Sequence, residues 1–383
     1  MRKTRSKKVF AEYSAKTLRH LDDVNIRILK EIARIGCRNL SEIARAVGIP
    51  KRTIYARITK LCRESGLRVH MSPRHAPLGM VNAVILAKVK PGSHGFLRKA
   101  LSTIDYLHRL YRAKGAVNGF YAHFTVPADR VREFEKIIGE IGIGLIAQSH
   151  TVLYTTDYMF HLPDFSFFDV KSRMWRFEIP FEISAGLNDE ELGLKEPDSF
   201  RLQADWLDVA IVYVLEKDAM SKLSEVVKER LSSGESLSRP LLKYHYDVHV
   251  EDKLIGCYWV RTPRFPPETF GLYLLNLRFE NMRGLKDFAS LIVKTPFIVS
   301  LAKELGEKRL LVELEMPVSR AMDLLDSIEE RLFREYEVWE YQLAVLREVE
   351  AWKPVPLHLF DEDKGWLFDV NRYMSELEKM SSS

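Results

Sequence analysis

Residues 21–64 contain three short amphipathic patterns in succession, and their spacing constrains the fold more than any other feature of the sequence. Asp22 and Asn39 are typical N-cap residues, so each predicts the start of a helix. Gly48 ends the second pattern at a position that suits a left-handed turn, and Pro50 suits the first turn of the next helix. Two short helices joined by a tight turn, with one helix before them, predict a helix-turn-helix unit.

The third predicted helix, Lys51–Arg63, has an apolar and a polar face. Ile54, Ile58 and Leu61 recur at the spacing of a buried stripe. The other face carries guanidinium, hydroxyl, aromatic and methyl groups, which can contact base edges in the major groove. We expect it to contact DNA through Arg52, Ala56, Thr59 and Arg63, flanked by Thr53, Tyr55 and Lys60, with Lys51 and Arg57 near the phosphates. The alternative is a charged helix face exposed only to solvent.

Charge is concentrated in the same part of the chain. Residues 1–76 hold 19 Lys and Arg against 6 Asp and Glu, a balance of +13, so the rest of the chain carries −8 of the total +5. Clustered positive charge is typical of a surface that binds a polyanion. Residues 1–20 are interpreted as a basic arm, with a solubilising tail as the alternative.

Composition limits the class of protein. No apolar run approaches the roughly 20 residues of a membrane helix, and no apolar stretch follows the charged N-terminus as in a signal peptide. The three cysteines have no CxxC spacing, which argues against a disulfide framework or a thiolate zinc site. We therefore expect a cytoplasmic, nucleoid-associated protein without cofactors that does not bind membranes.

The pattern Leu21-Asp22, Ile43-Ala44, Gly48-Ile49, Arg57-Ile58 and Gly66-Leu67 resembles the Lrp/AsnC family of bacterial and archaeal transcription regulators. The resemblance implies a winged helix-turn-helix followed by a ferredoxin-like domain for effector binding and dimerisation. It also implies double-stranded DNA and a second copy of the chain as partners.

Residues 80–155 independently predict the order βαββαβ of a ferredoxin-like unit. Where the family's hairpin commonly has Gly-x-x-Asp, associated with small-molecule response, this chain has Gly115-Ala116-Val117-Asn118. The missing carboxylate weakens the case for an amino-acid effector. Gly115 also has an adequate structural explanation in a tight hairpin, and a small-molecule effector stays unidentified.

The second half of the chain repeats the first. Leu207–Leu215 repeats Leu21–Leu29, and Pro317 with its following helix repeats Pro127, a spacing of 190 residues. We predict an α+β fold of two tandem modules, each a winged helix-turn-helix followed by a ferredoxin-like βαββαβ domain. The predicted boundaries are 1–20 for the arm, 21–76 and 207–262 for the winged helices, 77–185 and 263–383 for the ferredoxin-like domains with their tails, and 186–206 for a linker.

The predicted second winged helix differs from the first in charge, because residues 207–262 contain 8 Lys and Arg against 9 Asp and Glu. Its third helix, near Arg239–Val250, is expected to expose Lys243, His245, Tyr246 and His249, yet to pack on protein more readily than on DNA. His245 and His249 have the i, i+4 spacing of metal ligands. Because no HExxH glutamate accompanies them, no metal site is predicted.

The leading hypothesis is a sequence-specific, non-enzymatic DNA-binding transcription regulator that places Lys51–Arg63 in the major groove, with two chains pairing on a two-fold operator. One alternative is an enzyme like the siroheme decarboxylases, which resemble Lrp/AsnC proteins in both domains. Another is an architectural chromatin protein that coats DNA without sequence preference.

Overall fold

The fold is that of a computed structural model, which describes residues 20–144, 147–178, 187–226, 238–261 and 269–381. The predicted basic arm lies outside these residues except at its last position, His20. Residues 179–186, where the first predicted ferredoxin-like domain meets the linker, also lie outside the described residues. So do residues 227–237 of the predicted second winged helix and residues 262–268, where it meets the second ferredoxin-like domain.

The first winged helix contains three helices and one strand: α1 Asp23–Ile35, α2 Leu40–Val47, α3 Lys51–Glu64 and β1 Arg68–Pro73. The side chain of Asp22 accepts a hydrogen bond from the Asn25 amide at 2.7 Å and caps α1. Gly48 has a φ of +74°, the left-handed conformation that lets the chain turn between α2 and α3 without a Cβ clash. The local signals in the sequence therefore set the ends of these helices.

The first ferredoxin-like unit follows directly. Its elements are β2 Met80–Val89, α4 His94–Thr103, β3 Leu107–Gly115, β4 Gly119–Pro127, α5 Val131–Gly144 and β5 Ala147–Thr155. The strands pair in the order β5-β2-β4-β3, all antiparallel. Strands β2 and β4 are buried almost throughout because helices cover one face and strands of the second ferredoxin-like unit cover the other.

The remaining elements repeat this arrangement. A tail holds β6 Met159–Phe160, β7 Phe168–Asp169 and β8 Met174–Trp175, and the second winged helix holds α6 Trp206–Lys217, α7 Arg239–His245, a π-helical turn Tyr246–Val250 and β9 Ile255–Arg261. The second ferredoxin-like unit comprises β10 Phe270–Phe279, α8 Met282–Ile292, β11 Ile298–Lys303, β12 Arg309–Pro317, α9 Ala321–Ser327 and β13 Val338–Trp352. A second tail ends the chain, with β14 Phe360–Asp361, β15 Gly365–Trp366 and α10 Val370–Ser381. The predicted α+β class with two tandem modules is confirmed.

The two ferredoxin-like sheets join into one nine-stranded sheet with the order β5-β2-β4-β3-β13-β10-β12-β11-β6. Because β6 continues the chain of β5, the hydrogen-bonded strands close into a barrel. Strand β13 links the two units on one side, because its first half pairs with β10 and its second half with β3. On the other side β5 pairs with β2 of its own unit, and β6 pairs with β11 of the other unit. The two modules are thus related by a pseudo-two-fold axis within a single chain.

The two winged helices are joined in a similar way. Strand β1 pairs with β9 along its length, from Arg68 opposite Arg261 to Pro73 opposite Ile255. A Cβ at Gly36, after α1, would lie 2.3 Å from the ring of Tyr258 on β9. The predicted wing strand of the first module therefore forms its sheet with the second module, and glycine permits the close approach.

Segments outside the barrel cross between modules. In the second tail the Trp366 indole donates to the Leu78 carbonyl at 2.6 Å, and in the first tail the Asp164 amide donates to the Thr295 carbonyl at 3.3 Å. In the segment predicted as a linker, Leu192 and Leu194 are buried against the second ferredoxin-like unit. No helix among the described residues is both long and apolar enough to cross a bilayer.

Candidate nucleic-acid interface

Helix α3 is fixed by an apolar stripe and presents its polar face outward. Ile54, Ile58 and Leu61 are buried in the core of the first winged helix. The predicted contact residues Lys51, Arg52, Thr53, Tyr55, Ala56, Thr59, Lys60 and Arg63 are exposed. One continuous face of α3 therefore offers eight of the nine predicted side chains to a partner.

The exposed face is cationic and weakly neutralised. Among the described residues, no carboxylate forms an ion pair with Lys51 or Arg52, while Arg63 contacts Glu64 at 3.2 Å in a solvent-exposed pair. The ring of Tyr55 is 60% exposed on the same face. Unpaired guanidinium and ammonium groups beside an exposed ring suit contacts with phosphates and bases.

Arg57 is the predicted contact residue that the structure places differently. Its Nη1 donates to Asp22 Oδ2 at 2.7 Å and to Asn25 Oδ1 at 3.0 Å, which ties α3 to the start of α1. Burial alone would raise the pKa of Asp22, but hydrogen bonds from Arg57 and from the Asn25 amide outweigh it and lower that pKa. Arg57 therefore has a structural partner inside the winged helix.

The second winged helix contacts the first at the turn between α1 and α2. Arg38, in the turn between α1 and α2, donates to the Ser221 carbonyl at 2.7 Å, and its guanidinium lies 5.0 Å from the centre of the Tyr246 ring. The Cys37 thiol contacts the Ala219 carbonyl at 3.2 Å. The orientation of α2 and α3 is thus set by contacts that sequence patterns within residues 21–64 cannot show.

The corresponding helix of the second module has a different surface. Leu241, Tyr244 and Val248 are exposed, and Lys243 is paired with Asp247 one turn away. Two of the side chains expected to be exposed there are not: Tyr246 is buried, because its ring packs under Arg38, and His245 is only 11% exposed, because it packs against Asp208. This helix therefore presents apolar groups and a neutralised pair where α3 presents free cations.

The hairpin between β3 and β4 packs against the other module. Gly115 has a φ of +109°, and a Cβ there would lie 2.9 Å from the Leu343 carbonyl oxygen of β13. The Ala116 amide donates to that same oxygen at 2.9 Å, and Val117 is buried. Both the backbone conformation and the close approach require glycine at position 115, whatever binds nearby.

A buried polar cluster lies inside the barrel, and sequence patterns did not indicate it. Arg109 on β3 and Glu313 on β12 are each 1% exposed and approach to 3.4 Å. Glu313 also accepts hydrogen bonds from Tyr121 at 3.1 Å and Ser300 at 2.8 Å. Burial, and then the charge of Arg109, lower the pKa of His123 well below its usual range, so its ring stays neutral. The one sequence signal for this cluster was a charged residue within each of two apolar strand patterns, Arg109 and Glu313.

Comparison with curated proteins relates this chain to archaeal regulators. It is 30% identical over 125 residues to the HTH-type transcriptional regulator FL11 of Pyrococcus abyssi. The match covers 32% of this chain and 82% of that protein. An uncharacterized HTH-type transcriptional regulator of Pyrococcus furiosus is 30% identical over 121 residues, or 31% of this chain and 79% of the relative. No profile of a known protein family matches the sequence.

Comparison with solved structures extends over the whole chain. The siroheme decarboxylase NirDL in complex with an iron-uroporphyrin III analogue has a TM-score of 0.56 at 12% identity, covering 93% of this chain and 99% of that one. At this identity the match concerns the fold, two modules in one chain. The curated relatives are named HTH-type, α1 to α3 build a helix-turn-helix in this chain, and the matches cover 82% and 79% of the relatives. The chain therefore belongs to the Lrp/AsnC-like HTH-type transcriptional regulators.

Proposed function

We propose that the chain regulates transcription by binding a specific DNA sequence with α3 in the major groove. The observation that carries the proposal is the exposed face of α3, where Lys51 and Arg52 have no acidic partner among the described residues. Arg52, Ala56, Thr59 and Arg63 would contact base edges, with Thr53, Tyr55 and Lys60 beside them. Lys51 would contact phosphate, whereas the proposed phosphate contact of Arg57 competes with its ion pair to Asp22.

The experiment that tests this proposal is selection of bound sequences from a random DNA pool, followed by competition binding. A specific regulator should prefer its selected site over random DNA by at least ~10³-fold at physiological salt. A preference below ~10-fold would instead support the third possibility, an architectural protein that coats DNA. The opposite charge of residues 77–383 disfavours such coating, because they would face the same polyanion.

We infer that two chains pair on a two-fold operator, since a single chain presents one cationic α3. The barrel already joins the two ferredoxin-like units within a chain, so a second chain would have to use another surface. Light scattering with and without the selected site measures the stoichiometry. One chain per site would exclude the pairing and leave the DNA-binding role of α3 intact.

We infer from the family resemblance that a small-molecule effector would bind near the turn Gly115–Asn118. Asn118 lacks the carboxylate that would pair with the ammonium group of an amino acid. Its main-chain carbonyl already accepts a hydrogen bond from the Val89 amide at 2.9 Å. Val117 is buried. A thermal-shift screen of amino acids should therefore give no stabilisation through this turn.

A siroheme-decarboxylase-like activity is the second candidate function, favoured by the fold match over 93% of the chain. Against it stands the barrel interior, where the one fully buried arginine of the polar cluster is already neutralised by Glu313. A tetrapyrrole with several carboxylates needs cationic partners that are free to pair with it. We therefore infer a non-enzymatic protein, and titration with iron-uroporphyrin III, followed by its visible absorbance, should show no saturable binding.

A further inference from the structure

The start of α6 brings two carboxylates together with two histidines. Asp205 caps the helix and Asp208 stands at its third position, while His245 ends α7 and His249 lies in the π-helical turn. Each of the four residues offers one ligand atom, and these four atoms all lie within 4.8 Å of one another. Two imidazole nitrogens and two carboxylate oxygens form a donor set that borderline metal ions bind well.

The carboxylates are held in place by the helix itself. Asp205 accepts from the Asp208 amide at 2.9 Å, and Asp208 accepts from the Asp205 amide at 3.2 Å, which is a reciprocal capping box. His245 Nδ1 lies 2.8 Å from Asp208 Oδ1 and 3.7 Å from Asp205 Oδ2, and His249 Nδ1 lies 3.2 Å from Asp208 Oδ2. The four candidate ligand groups therefore lie close together, and hydrogen bonds join Asp208 to each of the other three.

The first module shows what the same place looks like when a permanent cation fills it. Asp22 and Asn25 occupy the N-cap and third positions of α1, as Asp205 and Asp208 do in α6. There the guanidinium of Arg57 contacts both side chains, at 2.7 and 3.0 Å. In the second module a second carboxylate replaces the amide, and among the described residues no arginine contacts Asp205 or Asp208. The second module therefore has two carboxylates where the first has one carboxylate and a bound guanidinium.

Because the site is partly buried, two carboxylates without a fixed cation cost free energy. Asp208 is 2% exposed, and two carboxylates so close together need positive charge from a neighbour. Asp205 is 56% exposed and His249 32% exposed, so one side of the site opens to solvent and gives an ion a path in. A buried carboxylate at the base and exposed ligands at the rim suit a bound ion.

We propose that Asp205, Asp208, His245 and His249 bind one divalent transition-metal ion of the zinc class. The ion takes the position that the Arg57 guanidinium holds in the first module. It ties the start of α6 to the end of α7 and to the π-helical turn, and so fixes the surface of the second winged helix. This departs from the sequence-based expectation of no metal, and it is independent of whether α3 binds DNA.

Metal binding is tested on the untagged full-length chain after dialysis against EDTA. Titration with Co²⁺ should give visible d–d absorption that saturates at one equivalent, and Zn²⁺ should displace the Co²⁺ and abolish the colour. The melting temperature of the unmodified chain should rise with micromolar Zn²⁺ and return with EDTA. No saturable Co²⁺ spectrum and no shift in melting temperature would together overturn the proposal, without any variant.

The double variant His245→Gln/His249→Gln assigns the site, because glutamine can still donate a hydrogen bond to Asp208 but is a poor zinc ligand. It should lose the Co²⁺ spectrum and the zinc-dependent rise in melting temperature. His358→Gln, an exposed histidine outside the cluster, is the matched control and should keep both. Unchanged metal binding in the double variant, or equal loss in the control, rejects the site.

Far-UV circular dichroism of the metal-free double variant checks its fold. If this variant does not fold, Asp205→Asn replaces it, because Asp205 is exposed and an asparagine still caps α6. Asp205→Asn should weaken Zn²⁺ binding by at least ~10-fold, the lower end of what supporting residues of metal sites contribute. Unchanged affinity in Asp205→Asn rejects that ligand and, with it, the four-residue site.

Discussion

The two winged helices have the same frame and opposite surfaces. In the first, α3 exposes Lys51, Arg52 and Lys60, whereas in the second, α7 exposes Leu241 and Tyr244. The backbone positions that hold each unit together are kept: a capped first helix, an apolar stripe and a strand in the shared β1–β9 sheet. A frame that is fixed by burial leaves the outer face of its third helix free to change partner.

The two ferredoxin-like units differ in the same manner inside the barrel. Arg109 and His123 of the first unit occupy the strand positions of Ser300 and Glu313 in the second. The β3–β4 pairing thus supplies the cation, Arg109, and the β11–β12 pairing supplies the acid, Glu313, that faces it inside the barrel. Two identical copies of the first unit would oppose two arginines, so the divergence favours pairing of the two unlike units.

The largest expected effect tests this complementary pairing. Arg109→Met leaves Glu313 buried without its cation and should lower the free energy of unfolding by about 3–5 kcal/mol, measured by urea unfolding. The double variant Arg109→Met/Glu313→Gln should recover most of that loss, because no charge is then stranded. A cost below about 1 kcal/mol for the single variant would show that the pair behaves like a surface pair.

The next effect is a pH dependence that arises from one buried glutamate of the second module. Glu216 on α6 is 2% exposed, and burial raises its pKa from 4.5 to about 7. Aligning the caps Asp22 and Asp205 shifts the predicted repeat of Leu21 and Leu207 by three residues, and Ala33 of α1 then occupies the position of Glu216. Between pH 4.5 and 7 the folded state holds a proton on Glu216 that the unfolded state releases, so the contribution of Glu216 to stability is fully present below pH 4.5 and is lost as pH rises through 7.

Glu216→Gln should remove this contribution, which is at most about 3 kcal/mol. Urea unfolding of both proteins between pH 4 and pH 8 measures it, with the exposed Glu307→Gln as the control. Parallel pH profiles for the unmodified chain and Glu216→Gln would mean that Glu216 stays ionised in the folded protein.

A smaller effect separates the two outer faces. Arg52→Ala should weaken binding to the selected DNA site by about 1–3 kcal/mol and relax discrimination at one base pair, and Thr59→Ala should act at another. Lys243→Ala on α7 is the matched change and should alter affinity by less than about twofold, since Lys243 is already paired with Asp247. Fluorescence anisotropy with single-base variants of the site distinguishes them. Equal losses from both helices would contradict the division of roles.

The smallest effect decides the role of Arg57. If Arg57 serves mainly Asp22, Arg57→Met should cost about 0.5–1 kcal/mol of stability, because the pair is partly exposed, and should change DNA affinity little. Lys51→Ala should do the reverse, leaving stability unchanged while lowering the salt slope of DNA binding by about 1. A reduced salt slope for Arg57→Met would restore it as a phosphate contact.

Much of the fold was predictable from local pattern. Asp22, Asn39 and Gly48 set the helix ends of the first module because caps and left-handed turns depend on residues three or four positions apart. The 190-residue repeat around Pro127 and Pro317 indicated the tandem architecture, and the exposed side of α3 followed from the positions of Ile54, Ile58 and Leu61. The candidate DNA-binding face was predictable for the same reason.

The pairing of Arg57 with Asp22 was not predictable, because it joins side chains 35 positions apart. The cluster at Asp208 combines residues 37 and 41 positions apart, so the histidine spacing alone gave no reason to expect carboxylates beside them. Distant partners of a buried polar group are chosen by packing, which periodicity does not encode.

By itself the sequence determined the two modules, the identity of the cationic helix and the charge difference between the copies, since these rest on composition and on short-range spacing. The tertiary structure decided how the copies are joined: the closed barrel, the shared β1–β9 sheet and the crossing tails. It also decided which charges are free on the surface and which are paired inside. Hydrogen bonding between sheet edges and the desolvation of charge are long-range effects, and they act only once the chain is folded.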